Sequence, residues 1–207
     1  MQVAVIGAGY VGLVTAAGLA GLGHVVRLAE SEPARLALLQ GGRSPLFEPD
    51  LDELIATGAR EGLLTFHASN PEAALGADVV FVSVPTPQGS SGAADTSIVE
   101  HVFAEIAPHL DSDAVVALKS TTPTSSFHRL QEILTHLSSG ATLVINPEFL
   151  REGSAVSDFF HPDRVVLGTK DDHSVTRLTE LYAKLGAPLV VMDPISAAIV
   201  KYASNAY

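Results

Sequence analysis

VAVIGAGYVG, the stretch from Val3 to Gly12, combines a short apolar strand with glycines at the first, third and sixth positions of a turn. An apolar run with helical spacing continues to Leu22. The order of strand, Gly-x-Gly-x-x-Gly turn and helix is typical of a loop that binds the pyrophosphate of a dinucleotide. In such a loop Gly7 permits the tight turn and Gly9 leaves the backbone open to phosphate, while Gly12 lets the helix pack closely.

An acidic residue after the next strand supports a dinucleotide site. Residues 25–29 have the pattern of a second short strand, and Glu30 follows it, 23 positions after Gly7. A carboxylate there accepts hydrogen bonds from the adenosine ribose and repels a 2′-phosphate, which favours NAD over NADP. The alternative is that Glu30 only begins a solvated acidic loop. Arg35 is open to two interpretations, contact with an adenosine phosphate or a surface ion pair with Glu32.

The composition excludes several classes of protein. The 207 residues include 12 Lys and Arg against 23 Asp and Glu, so the formal net charge is −11. An acidic chain without basic clusters attracts neither nucleic acid nor an anionic membrane. The sequence has no signal-peptide or membrane-spanning pattern, and we expect a soluble cytoplasmic protein. It has no cysteine, which excludes thiolate chemistry by this chain, and its eight histidines lack metal-binding spacing, so no metal site is predicted.

Strand and helix patterns alternate along the rest of the chain. Apolar runs typical of buried parallel strands occur at residues 63–66, 78–84, 114–118, 142–145, 164–167 and 189–192. Helical patterns lie between most of them, and a last one starts at Ile195. This alternation predicts an α/β fold, a doubly wound and mostly parallel Rossmann-like sheet with helices on both faces. We expect residues 1–193 to form this domain and residues 194–207 to begin a longer helix.

Hydroxyl side chains follow two of the predicted strands. Thr86 lies in Pro-Thr-Pro after the strand at 78–84, and Ser120 and Thr121 follow the strand at 114–118. Each hydroxyl alone is more typical of a turn or a helix cap. Ligands of doubly wound sheets bind beyond the carboxyl ends of the strands, so the joint placement of these residues favours a cofactor cleft.

NPEFLREG, residues 146–153, follows a third strand and carries two carboxylates four positions apart. On a helix Glu148 and Glu152 would share one face, where they could transfer protons beside a substrate. The alternative is that Glu152 pairs with Arg151 in solvent.

Seven motifs in order identify a family. They are GAGYVG at 7–12, SPLFEP at 44–49, VPTP at 84–87, KST at 119–121, NPEFLREG at 146–153, DR at 163–164 and KYASN at 201–205. Over its whole length the chain resembles the nucleotide-sugar dehydrogenases, which include the UDP-glucose and GDP-mannose enzymes, and NPEFLREG favours the UDP-glucose branch. The resemblance implies an oxidoreductase of polysaccharide precursor synthesis that converts the C6 alcohol of UDP-glucose to UDP-glucuronate with two NAD. GDP-mannose or another nucleotide sugar as substrate, and a naturally short NAD-binding regulatory module, remain alternatives.

The resemblance also assigns roles to individual residues. The cofactor would contact Gly7, Ala8, Gly9, Tyr10, Val11, Gly12, Glu30, Arg35, Thr86, Ser120, Thr121 and Glu152. The nucleotide-sugar substrate would contact Glu148, Phe149, Leu150, Arg151, Glu152, Lys201 and Asn205. In catalysis Glu148 would be the general acid/base and Thr121 would place a water. Lys201 and Asn205 would stabilise a developing oxyanion.

The chain departs from the family pattern at three points. Glu30 stands where the family usually has Asp, and TPTSS at 122–126 replaces the usual Val-Pro-Val-Gly-Thr. The family's glycine-rich segment with the catalytic cysteine, and its C-terminal UDP-binding domain, have no counterpart in these 207 residues. Because the resemblance implies a covalent thioester on that cysteine, we expect this chain alone to bind NAD without turnover. The resemblance implies a homodimer for a full-length protein.

Overall fold

A single eight-stranded sheet forms the centre of the protein. The computed structural model describes residues 1–89, 92–137 and 140–206, and Tyr207, the end of the predicted segment 194–207, lies outside them. The strands are β1 (Gln2–Ile6), β2 (Val25–Ala29), β3 (Leu64–His67), β4 (Val79–Val82), β5 (Val115–Leu118), β6 (Thr142–Ile145), β7 (Val165–Gly168) and β8 (Leu189–Met192). Their order across the sheet is β3-β2-β1-β4-β5-β6-β7-β8. Neighbouring strands are parallel except β6 and β7, which meet antiparallel where Ile145 faces Gly168.

Helices cover both faces of this sheet. They are α1 (Tyr10–Gly21), α2 (Pro33–Gln40), α3 (Leu51–Arg60), α4 (Asn70–Ala74), α5 (Ser97–Ile106), α6 (Phe127–Leu137), α7 (Ala155–Phe160), α8 (Asp172–Tyr182) and α9 (Pro194–Ala206). Short 3-10 turns cover Ala107–His109, Thr124–Ser126 and Ala183–Leu185. The predicted doubly wound, mostly parallel α/β fold is confirmed. Within the described ranges, no helix is long and apolar enough to cross a bilayer.

Two hydrophobic cores follow from the period of two along each buried strand. Val3 and Val5 of β1 pack into one core with α1, α3, α7 and α8, whereas Ala4 and Ile6 pack into the other with α4, α5, α6 and α9. Because β4 and β5 are buried at every position, their sequences VVFV and VVAL are apolar without alternation.

Helix α1 lies deep in the first core because its buried face is built from small residues. Every residue from Gly12 to Ala20 is buried. A Cβ added to Gly18 would lie 2.3 Å from the ring of Phe159 on α7, so glycine is needed for this contact. The C-terminal half of α1 therefore packs closely against α7.

The segment after β6 differs from the expectation for it. Residues 146–154 contain no helix, so the prediction that Glu148 and Glu152 share a helical face is wrong. Pro147 lacks an amide hydrogen for helical bonding, and Gly153 has φ +86°, outside the helical region. The helix α7 that follows, only six residues long, was not predicted.

Candidate functional site

The glycine turn after β1 has the geometry that its three glycines predict. Gly7 has φ +95°, a left-handed conformation that side chains disfavour. A Cβ on Gly12 would lie 1.9 Å from the carbonyl oxygen of Gly7, whereas a Cβ on Gly9 would meet nothing within 4 Å. Gly9 is the N-cap of α1, and as a glycine it has no side chain that could accept hydrogen bonds from the first amides of the helix. The first amides of α1 therefore face open space, where an anion is favoured.

A cleft of about 780 Å³ lies beyond the carboxyl ends of β1, β2, β4 and β5. Predicted site residues that line it are Gly7, Ala8, Gly9, Tyr10, Val11, Glu30, Arg35, Thr86, Ser120, Thr121 and Glu148. Gly12 lies buried beneath the turn, outside this lining. The structure thus brings most of the predicted cofactor residues to one cleft.

Other residues of the lining were missed from the sequence. Asn70 at the start of α4 also lines the cleft, as do four residues of α5, namely Ile98, His101, Val102 and Glu105. The spacing of three to four positions along α5 is the signal that could have identified a helix face turned toward the cleft.

Glu30 and Arg35 form an ion pair at one end of the cleft. Glu30 Oε2 accepts a hydrogen bond from Arg35 Nε at 3.0 Å, and Glu30 Oε1 accepts one from the amide of Glu32 at 2.9 Å. A terminal nitrogen of Arg35 donates to the carbonyl oxygen of Ala8 at 2.5 Å. The contact of Arg35 with Glu32, one of its two proposed roles, is longer at 3.9 Å. Arg35 therefore connects the acidic residue after β2 to the glycine turn.

The strand-end hydroxyls hold two loops together. Thr86 Oγ1 donates to the carbonyl oxygen of Thr121 at 2.9 Å, and Ser120 Oγ donates to that of Val84 at 2.7 Å. Since each hydroxyl has one hydrogen, Thr86 and Ser120 can offer a ligand only their lone pairs while these bonds are intact.

Glu148 lies at the junction of the cleft with a second cavity of about 360 Å³. Its Oε1 lies 2.7 Å from Lys201 Nζ, and both side chains are almost buried. Its Oε2 accepts a hydrogen bond from the amide of Leu150 at 2.7 Å. The ring of Phe149 has Lys201 Nζ at 5.8 Å and the Arg164 guanidinium at 5.2 Å from its centre. A carboxylate, a cation and an aromatic ring are thus held together at this junction.

Of the seven predicted substrate residues, only Glu148 lines the cleft. Glu152 is exposed, and Asn205 is exposed one turn beyond the buried Lys201 on α9. Arg151 pairs with Asp158, with a nitrogen–oxygen distance of 2.6 Å, so the alternative in which Arg151 pairs with Glu152 is wrong. Phe149, Leu150 and Arg151 instead line the second cavity.

Lys119 is a site residue to which the sequence analysis gave no role, although it belongs to the KST motif at 119–121. It follows β5 directly, lines both cavities, and its Nζ lies 5.5 Å from the centre of the Phe81 ring. Desolvation lowers the pKa of Lys119 to about 8, against the attraction of Glu148, and the charge of Lys201 lowers it further. A lysine whose pKa is well below its ordinary value therefore lies between the cleft and the second cavity.

Replacing Lys119 with methionine should stabilise the fold at pH 7 by an amount on the order of 1–3 kcal/mol, because a charged group leaves a half-buried position. The folded pKa is lowered, so between pH about 8 and about 10.5 the unfolded state binds more protons and stability rises with pH. The advantage of Lys119→Met should therefore shrink across that range in urea unfolding. Lys170→Met, at an exposed position, is the control. A pH-independent advantage for Lys119→Met would contradict the prediction.

Among the described residues, no three His, Asp or Glu side chains are grouped so that they could hold a metal ion. What the cleft offers is a dinucleotide site: an open helix N-terminus after a glycine turn, and a buried acidic residue after β2. The open space at Gly9 fits a pyrophosphate, and Glu30 fits a ribose. The fold and this site define a Rossmann-like NAD-binding domain of the dehydrogenase type.

The chain belongs to the UDP-glucose/GDP-mannose dehydrogenase family, whose NAD binding domain matches residues 1–186. NAD is therefore the cofactor, as the sequence predicts. The whole chain is 40% identical to UDP-glucose 6-dehydrogenase YwqF of Bacillus subtilis, covering 48% of that protein. It is 39% identical to UDP-glucose 6-dehydrogenase of Pseudomonas aeruginosa, again covering 48%. The chain spans about half the length of these curated relatives.

Solved structures give the same result. The UDP-glucose dehydrogenase of Pyrobaculum islandicum superposes with a TM-score of 0.93 at 36% identity, over 98% of this chain and 48% of that one. The ternary complex of GDP-mannose dehydrogenase from Pseudomonas aeruginosa superposes with a TM-score of 0.94 at 30% identity, over 100% of this chain and 49% of that one.

Proposed function

We propose that this chain is the NAD-binding half of an enzyme that oxidises the C6 alcohol of UDP-glucose to the carboxylate of UDP-glucuronate. The observation that carries the proposal is Glu148, which lies at the junction of the dinucleotide cleft and a neighbouring cavity and is paired with Lys201. A carboxylate at such a junction can reach both a bound dinucleotide and a substrate alcohol. The names of the curated relatives support UDP-glucose as that substrate.

In the proposed reaction two NAD, bound in turn, would each accept one hydride from C6, because an alcohol and a carboxylate differ by two such oxidations. Glu148 takes the proton of the C6 hydroxyl, and Lys201 balances negative charge that develops on the oxygen. Thr121, in the cleft lining, holds the water that would hydrolyse the thioester implied on the family's cysteine, releasing the carboxylate and the thiol. Phe149 and Leu150 contact the sugar from the second cavity.

The proposal also gives roles to three residues that do not line the cleft. Asn205 assists Lys201 from the next turn of α9, and Arg151 and Glu152 contribute to the substrate and cofactor contacts from their exposed loop. Residues 1–193 form the NAD-binding domain, and residues 194–207 begin a helix that continues toward a UDP-binding domain. Exposed Ile195, Ile199 and Tyr202 on α9 support a homodimer of the full-length protein.

Titration calorimetry tests the cofactor part of the proposal. We expect NAD to bind with a dissociation constant between about 1 μM and 1 mM, the range typical of cofactor and substrate sites, and more tightly than NADP because Glu30 repels a 2′-phosphate. No UDP-glucuronate should form when NAD and UDP-glucose are added to this chain, because it has no cysteine on which the implied thioester could form. Tighter binding of NADP would contradict the role of Glu30.

The coding sequence downstream tests the enzyme part. An open frame that encodes a cysteine-containing segment would support the proposal, and the complete product should then reduce NAD with UDP-glucose in preference to GDP-mannose. A preference for GDP-mannose would assign the other branch of the family. A stop codon directly after position 207 would favour a naturally short regulatory module.

A further inference from the structure

A buried carboxylate connects the glycine turn to the loop after β6. Glu48, between α2 and α3, is only 6% exposed. Its Oε2 accepts hydrogen bonds from the Tyr10 hydroxyl at 2.5 Å and the Gly153 amide at 2.8 Å. Its Oε1 accepts one from the Ala155 amide at 2.7 Å. Segments more than 100 residues apart in sequence thus converge on one side chain.

The Tyr10 hydroxyl lies between this carboxylate and the same loop. It accepts a hydrogen bond from the Gly153 amide at 3.2 Å and lies 3.1 Å from the carbonyl oxygen of Arg151. Tyr10 is also the first residue of α1, and it lines the dinucleotide cleft. A shift of the first turn of α1 therefore moves the hydroxyl that Glu48 and residues 151–153 share.

The hydrogen bonds keep Glu48 ionised in a buried position. Burial alone would raise the pKa of Glu48, but the Tyr10 hydroxyl and the amides of Gly153, Ala155 and Val156 together hold it below its ordinary value. Burial and the hydrogen bond to Glu48 raise the pKa of Tyr10 to about 12. Four donors on one carboxylate use most of its lone pairs. A shift of one donor therefore changes the hydrogen bonds that the carboxylate makes with the other three.

We propose that Glu48 is a positioning residue that couples occupation of the dinucleotide cleft to the order of residues 149–153. This inference rests on the proposed function, which assigns that loop to the sugar. A dinucleotide that restrains the first turn of α1 also restrains the Tyr10 hydroxyl, and through Glu48 the amides of Gly153 and Ala155. Because such coupling is reciprocal, a sugar held by the loop tightens NAD binding by the same factor.

Hydrogen exchange of the backbone amides, measured with and without saturating NAD, tests the coupling. In the unchanged chain NAD should slow exchange at Gly153 and Ala155 by about fivefold or more. Glu48→Gln keeps the size of the side chain but turns an NH₂ group toward hydrogen-bond donors. This variant should retain NAD affinity within about threefold, since Glu48 lies outside the cleft lining, and should lose the NAD-dependent slowing.

Asp171→Asn provides the matched control. Asp171 accepts hydrogen bonds from the amide and hydroxyl of Ser174 at 2.8 and 2.6 Å and caps α8. It follows β7, which runs opposite to β6, so it lies at the other edge of the sheet. Asp171→Asn should loosen the start of α8 and leave the NAD-dependent slowing at Gly153 intact. Tyr10→Phe is a milder second variant, since Glu48 keeps its amide donors, and it should reduce the slowing.

The outcomes separate the two proposals. If Glu48→Gln speeds exchange at Gly153 and Ala155 by the same factor with and without NAD, Glu48 is only structural and the coupling is overturned. NAD binding without slower exchange at these amides in the unchanged chain overturns the coupling alone. An unchanged chain that fails to bind NAD overturns the proposed function together with the coupling.

Discussion

Gly12→Ala is expected to abolish NAD binding and to lower the free energy of unfolding by about 3 kcal/mol or more, the upper range for overpacking. The added Cβ would lie 1.9 Å from the carbonyl oxygen of Gly7, which is backbone and cannot rotate away. Relief requires that α1 move from the turn or that the turn open, and residues 13–20 of α1 are buried and resist such a shift. Urea unfolding monitored by circular dichroism measures the loss of stability.

Gly9→Ala, three residues before Gly12, should weaken NAD binding without lowering the stability of the fold. A Cβ there meets nothing within 4 Å, and the residue has φ −66°, so alanine fits without strain. This variant should unfold within about 0.5 kcal/mol of the unchanged chain, as expected for an uncrowded site. Its methyl group fills the approach of the pyrophosphate, so calorimetry should show an NAD affinity lower by about tenfold or more. Unchanged NAD affinity would show that the phosphates bind elsewhere.

Glu30→Gln is the second change with a large expected effect, and it concerns cofactor preference. The carboxylate of Glu30 accepts a hydrogen bond from Arg35 Nε at 3.0 Å. It also places a negative charge where a 2′-phosphate would lie. Glutamine removes that charge and leaves the Arg35 guanidinium without its main carboxylate partner. The ratio of NADP affinity to NAD affinity should rise by about tenfold, equivalent to about 1.4 kcal/mol.

Glu32→Gln is the control for Glu30→Gln, because Glu32 is more than half exposed and lies 3.9 Å from Arg35. It should leave the ratio of the two affinities unchanged in calorimetry. If Glu30→Gln weakens NAD and NADP by equal factors, Glu30 holds Arg35 in place but does not discriminate between the cofactors.

The sequence predicted the features that depend on local chemistry. All eight strands were identified from short runs dominated by apolar residues, and the clearest runs are those of β4 and β5, because a strand buried on both faces must be apolar throughout. The glycine turn was identified because Gly7 and Gly12 occupy positions where a side chain is disfavoured or excluded. Glu30 was recognised by its distance from that turn and the strand before it.

Features that depend on distant contacts could not be predicted. The loop after β6 is held by Asn146, which donates to the carbonyl oxygen of Val166 and accepts from the buried Tyr182 hydroxyl. Glu48 contacts residues more than 100 positions away, and no local pattern indicates such a partner. Helix α7 is too short to show a period, and its start is fixed by Glu48. The spacing of Glu148 and Glu152 suggested a shared helical face, but the distant contacts of this loop, not its local spacing, decide its conformation.

The reversed pair β6 and β7 determines which way the last helix travels. Strand β8 is parallel to β7, so it ends at the edge of the sheet opposite the cofactor cleft. Helix α9 follows β8 and therefore runs back across the sheet. Gly168 allows that return, because a Cβ there would lie 2.6 Å from the Cβ of Ala197. Because α9 runs back toward the cofactor edge of the sheet, Lys201 reaches Glu148. Had β7 kept the orientation of its neighbours, α9 would depart from the cofactor margin and carry its lysine out of reach.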